Sequence, residues 1–72
     1  MTGYVWLLVE EDEFGEKDVI SAHLTFRGVL AAASWRWSEL DEALDGDLAE
    51  GEQGWTLDDG TGVLIYRFPL ED

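Results

Sequence analysis

The side chains able to do chemistry in this sequence are nearly all carboxylates. Seventeen Asp and Glu stand against four Lys and Arg, one His and no Cys. Seven of the acids fall within residues 39–52: Glu39, Asp41, Glu42, Asp45, Asp47, Glu50 and Glu52. Two carboxylates at a set separation can serve as general acid and base, but so many pairs are available here that none is singled out. A calcium loop of the EF-hand type places oxygen ligands at positions 1, 3, 5 and 12 with Gly at 6. Counted from Asp45, position 5 is Ala49 and position 6 is Glu50, so the pattern fails and the segment reads as a solvated acidic stretch.

The other candidates are weaker. His23 has no recognisable Ser or Cys partner in the arrangement of a catalytic triad. The run Asp58-Asp59-Gly60-Thr61-Gly62 lacks the Lys of a phosphate loop, and its paired carboxylates would repel phosphate. It reads as turn chemistry. A domain this small rarely encloses the roughly 300 Å³ a substrate pocket needs. The expectation is a protein that is not an enzyme and uses no metal or cofactor.

Charge narrows the partners. The formal net charge is −13, yet 46% of the residues are hydrophobic. A disordered acidic tail lacks such an apolar share, so the chain is expected to fold as a single domain over residues 1–72. Nucleic acid and anionic membranes both repel this balance of charge. A protein with a basic surface would instead be steered towards it. There is no basic leader followed by a long apolar stretch and no run of about 20 apolar residues. These features lead us to expect a complete, soluble, cytoplasmic protein. Without Cys no disulfide or thiolate zinc site can staple the fold. A domain of this size buries only about 60% of the surface its unfolded chain exposes. The large aromatics and self-association are the reinforcements left.

The elements that must position these groups follow from hydrophobic spacing. Residues 4–9 form a β-branched and aromatic strand, apolar on both faces, which belongs in the centre of a sheet. Self-association could supply cover for its second face. Residues 18–26 alternate, with Ile20, Ala22, Leu24 and Phe26 as the expected core face and Val19, Ser21, His23 and Thr25 more solvated. Thr25 is a candidate N-cap. Residues 29–37 are helical, with Val29, Leu30, Ala33 and Trp37 on one face. Ser38 offers a second N-cap for a short stripe of Leu40, Ala43 and Leu44, with Gly46 as a stop. Trp35 and Trp37 project about 200° apart on a helix. If Trp37 points inward, Trp35 is left outside as a candidate interface anchor. Residues 55–58 and 63–70 make a closing hairpin, in which Pro69 marks an edge strand or the strand's end. The order is ββαββ, an α+β fold with a small antiparallel sheet and helix on one face.

The opening Tyr4-Val5-Trp6-Leu7-Leu8, the second strand running into Thr25-Phe26-Arg27, the Ala-rich helix and the apolar last strand before Glu71-Asp72 resemble a class of small uncharacterised domains often encoded by bacteriophages and mobile elements. The resemblance implies a ββα-plus-strands fold and carries no activity or functional residues. Proteins of that origin include inhibitors used in counter-defence and in immunity to toxins. Together with the charge, this points to an acidic protein-binding domain. It would be a phage-type inhibitor or DNA mimic that occupies a basic surface of a host or toxin protein. The expected contacts are Trp35, Glu39, Asp41, Glu42, Asp45, Asp47, Glu50 and Glu52. The alternative is a homo-oligomeric structural or adaptor protein, a homodimer for instance, built on an apolar Trp-rich surface.

Overall fold

Strand β1 (Tyr4–Glu11) lies inside a four-stranded antiparallel sheet of order β2-β1-β4-β3, flanked by β2 (Lys17–His23) and β4 (Gly62–Pro69), with β3 (Gln53–Thr56) on the far edge. The computed structural model describes residues 3–46 and 48–70. The fold is α+β. One helical layer, α1 (Phe26–Arg36), packs on the sheet and is followed by a single 3₁₀ turn (Ser38–Leu40) and the one-turn α2 (Asp41–Leu44). The central place of β1 follows from its composition, because a strand apolar on both faces loses least when it is paired on both edges. Pro69 is the last residue of β4, where its missing N–H costs no interior ladder bond. Both hairpin turns use glycine in the left-handed region, Gly15 at φ 86° and Gly60 at φ 91°.

The core lies between the sheet and α1. Trp6 and Leu8 of β1, with Val63 and Ile65 of β4, meet Phe26, Val29 and Ala33 of α1 and then Trp37, Leu40 and Leu44. Trp6 and Phe26 stack obliquely, ring centroids 5.0 Å apart. Helix α1 begins at Phe26, directly after the expected N-cap, for the Thr25 hydroxyl accepts the Gly28 N–H at 2.9 Å. Arg36 occupies its last turn, where the helix dipole favours a cation. Ser38 does not cap the next element: the 3₁₀ turn has no side-chain cap, and its first backbone bond comes from Leu40 N–H to the Trp37 carbonyl. Gly46 follows the end of α2 without a positive φ.

The expected faces of β2 are corrected. Leu8 pairs with Ser21 and Val9 with Val19, so Ile20 is an extra residue, a bulge. A bulge places two residues opposite one and breaks the two-residue alternation. Ile20 still packs on the core, but Ser21 and His23 share its side of the sheet through their partners Leu8 and Trp6. Ala22 and Val19 turn to the opposite side with Leu7 and Val9. Leu24 lies beyond the strand and is exposed. Phe26 is buried, but as part of α1 rather than β2. Among the described residues no helix is long and apolar enough to cross a membrane.

Candidate functional site

The acidic segment after α1 is built to present carboxylates. Leu40 and Leu44 anchor the 3₁₀ turn and α2 to the core, and the residues between them are left outside. Glu39, Asp41, Glu42, Asp45, Glu50 and Glu52 are all exposed. Asp47 lies outside the described residues. Asp41 accepts a hydrogen bond from the Ser34 hydroxyl of α1, which ties α2 to the helix before it. Glu52 Oε2 accepts the Arg67 N–H at 3.2 Å and tethers the end of the segment to β4. A shallow groove of about 520 Å³ runs between α1 and α2, with Arg27 on one wall and Asp41, Glu42 and Asp45 on the other.

Trp35 does not join this segment. It is 90% exposed and stands on the opposite flank of α1, where it lines a groove with Ile20, Ser21, His23 and Arg36. The helical spacing of Trp35 and Trp37 is as expected, since Trp37 is in the core. The four Trp do not make a common surface. Trp6 and Trp37 are buried and Trp55 is half-buried against the core, which leaves Trp35 alone on the outside.

A second acidic region escapes a reading of the linear sequence. Glu11 pairs with Lys17 on one side and with Gly62 on the other. The β1–β2 turn and the β3–β4 turn therefore share one end of the sheet. That end carries Glu10, Glu11, Asp12, Glu13, Glu16, Asp18, Asp58 and Asp59. The signal lay in the topology, because two antiparallel hairpins whose strands β1 and β4 are neighbours must put their turns side by side. Lys17 bridges Glu11 at 3.2 Å, and Arg36 reaches Glu10 at 3.6 Å. Arg67 sits over the rings of Tyr4 and Trp6, 4.5 and 5.7 Å from their centroids. Among the described residues, Lys17, Arg36 and Arg67 are thus engaged within the fold. Asp59 is held below the usual carboxylate range, chiefly by the Thr61 backbone N–H that its Oδ1 accepts at 2.9 Å and then by the Thr61 side chain.

His23 does have a Ser partner. The Ser21 hydroxyl and His23 Nε2 lie 2.8 Å apart, because residues two apart on a strand share a face. A nucleophile and base at this distance form half of a hydrolytic constellation, which also needs a group to orient the imidazole and donors for an oxyanion. Among the described residues no carboxylate bonds the His23 ring, and no group of three or more His, Cys, Asp or Glu is placed to hold a metal ion. The pair explains how two polar side chains are half-buried beside Leu8 better than it explains a reaction. No family model, no curated protein and no solved structure matches this chain.

Proposed function

We propose that this chain is a non-enzymatic, acidic protein-binding domain that occupies a basic, nucleic-acid-binding surface of another protein. The observation that carries the reading is the disposition of charge. Carboxylates gather in two exposed regions, the end of the sheet and the segment after α1, while Lys17, Arg36 and Arg67 are held at the surface against acids or aromatic rings. The scale supports it as well. The molecule is 40 Å long, and a duplex of that length carries about 24 phosphates at one per 1.7 Å, the same order as the 17 carboxylates of the chain. The small uncharacterised domains that the sequence resembles are often encoded by phages and mobile elements, whose products include inhibitors, and such a role fits that origin.

The test is capture from a lysate of the source cells on the tagged protein, with elution in a rising salt gradient. The expected partner is a nucleic-acid-binding protein that leaves at moderate salt, competes with duplex DNA for the domain, and is lost when Asp41, Glu42 and Asp45 are changed to Lys. Surface charges are screened over about 8 Å at physiological salt, so a contact of this kind must weaken steeply with ionic strength. A partner that resists high salt, or that binds the reversed variant equally well, would overturn the reading. The specific observation favouring an alternative is Trp35. A salt-resistant partner lost on Trp35→Ser would make the domain an adaptor anchored by that side chain.

A further inference from the structure

We propose that the outer face of the sheet, opposite α1, is a self-association surface covered by the same face of a second copy of this chain. The strand registers define the face. Val5 pairs with Phe68, Leu7 with Tyr66, and Val9 with Leu64, so these six side chains rise on the side away from the core. Beyond Leu7 and Val9, Ala22 and Val19 of β2 extend the row. Gly54 stands opposite Leu64, and a Cβ there would meet Leu64 Cδ2 at 3.1 Å, so the missing side chain gives Leu64 room to lie flat over β3. Val9 is almost wholly enclosed although it belongs to this face and not to the core cluster, which shows the side chains packing closely on one another. Val19 and Phe68 remain 63% and 50% exposed. The shortest dimension of the molecule is 17 Å, room for the sheet and one helical layer and for no third layer over this face.

Charge selects the occupant. In a chain of net charge −13, strands β2, β1 and β4 carry on this face only Glu11 and Lys17, which pair with each other at the rim. A basic partner is drawn to the acidic regions and finds nothing here to hold it. A second copy is repelled by those regions and can approach closely only where they are absent. It also brings a sheet of identical twist, and antiparallel sheets pack face to face about 10 Å apart with such surfaces interdigitated. The two-fold arrangement makes one patch serve both copies. The edges are poorer sites for self-pairing, since β2 is interrupted by the bulge at Ile20 and β3 has four residues.

The area sets the strength. Three to four strands about 4.8 Å apart, with three same-face positions about 6.8 Å apart on each, give roughly 300–400 Å² of projected face per copy. With side-chain relief, two copies bury roughly 1,000 Å², below the range of stable specific interfaces and within that of weak, transient ones. A dimer of micromolar affinity or weaker follows. Its response to salt is diagnostic, because screening relieves the repulsion between two chains of −13 each and leaves the apolar contact intact. Self-association must tighten as salt rises, opposite to the binding of a basic partner.

Sedimentation of the full chain from low micromolar to millimolar concentration, in low and high sodium chloride, tests the proposal. The expected result is a mass rising from 8.1 kDa to twice that value, at lower protein concentration in high salt than in low. Tyr66→Lys, which sets a charge in the middle of the face, is expected to remain monomeric throughout, with its near-ultraviolet circular dichroism showing a folded chain. Should Tyr66→Lys unfold, the half-exposed Phe68 provides the deciding variant: Phe68→Ser is expected to weaken association at least tenfold. Trp35→Ser, on the far side of the molecule, is expected to dimerise like the parent. A wild type monomeric at every concentration and salt would overturn the proposal, as would association that loosens with salt or that Phe68→Ser leaves unchanged. Reversal of Asp41, Glu42 and Asp45 leaves this dimer intact, so failure here is separable from failure of the partner-binding reading.

Discussion

On β4, Val63 and Ile65 point towards α1 and are sealed from solvent, while Leu64, Tyr66 and Phe68 point the other way and are partly open. The same contrast runs along β1, with Trp6 and Leu8 in the core and Val5 and Leu7 on the outer side. Residue type does not separate the two faces, for both are aliphatic and aromatic. What separates them is the cover. One face has a capped helix with Val29 and Ala33 seated on it, and the other has no layer of its own among the described residues. A buried apolar side chain stabilises the monomer, and an uncovered one stabilises only what comes to cover it.

The largest effect should come from emptying the covered face. Ile65→Ala removes a side chain with no exposure and is expected to cost about 2–5 kcal/mol. A domain of this size has about 3–5 kcal/mol in all, so urea titration should find the variant largely unfolded at room temperature. Leu64→Ala, one residue away, is expected to cost about 1 kcal/mol or less when measured at a concentration where the protein is monomeric. Equal losses at the two positions would break the comparison and mean that the outer face is as much a core as the inner one.

The next effect concerns the cover itself. Thr25→Ala leaves the Gly28 N–H without its acceptor and is expected to lower stability by about 1 kcal/mol. That corresponds to a melting temperature about 4–8 °C lower for a chain of this length. The cost should be felt as looser packing of Trp6 and Phe26, which calorimetry and Trp fluorescence can follow together. A Thr25→Ser variant keeps the acceptor and should behave as the parent.

Much of this architecture was legible in the sequence. The centrality of β1 was written in its two apolar faces, the start of α1 in Thr25, the final turn in Asp59-Gly60, and the split between Trp35 and Trp37 in helical geometry. The bulge at Ile20 was not legible, because a single extra residue inverts every later side chain on β2 while leaving composition and length untouched. For the same reason Ser21 and His23 read as solvated from sequence and are found together beside Leu8. Of the candidate site, the exposure of Glu39, Asp41, Glu42, Asp45, Glu50 and Glu52 was legible from their charge. Their separation from Trp35 and the gathering of Asp58 and Asp59 with the β1–β2 turn were not, since both depend on which strands become neighbours.

The smallest effect lies at the acidic end of the sheet and sharpens the comparison from outside either face. Asp59 is exposed, yet its carboxylate is favoured by the Thr61 N–H, so its pKa in the folded chain lies below the ordinary Asp value. A carboxylate whose pKa is depressed by folding contributes stability above its unfolded pKa and loses it as pH falls through the folded value. Asp59→Asn retains an oxygen that can accept the same N–H and removes the titration. The stability of the parent relative to this variant should therefore be flat from neutrality down to about pH 4 and decline below it, as read by urea midpoints at successive pH values. Sedimentation at neutral pH should show the same association in parent and Asp59→Asn, because the turn that holds Asp59 lies at the end of the sheet and adds proton-linked stability to the fold but no contact to the sheet face.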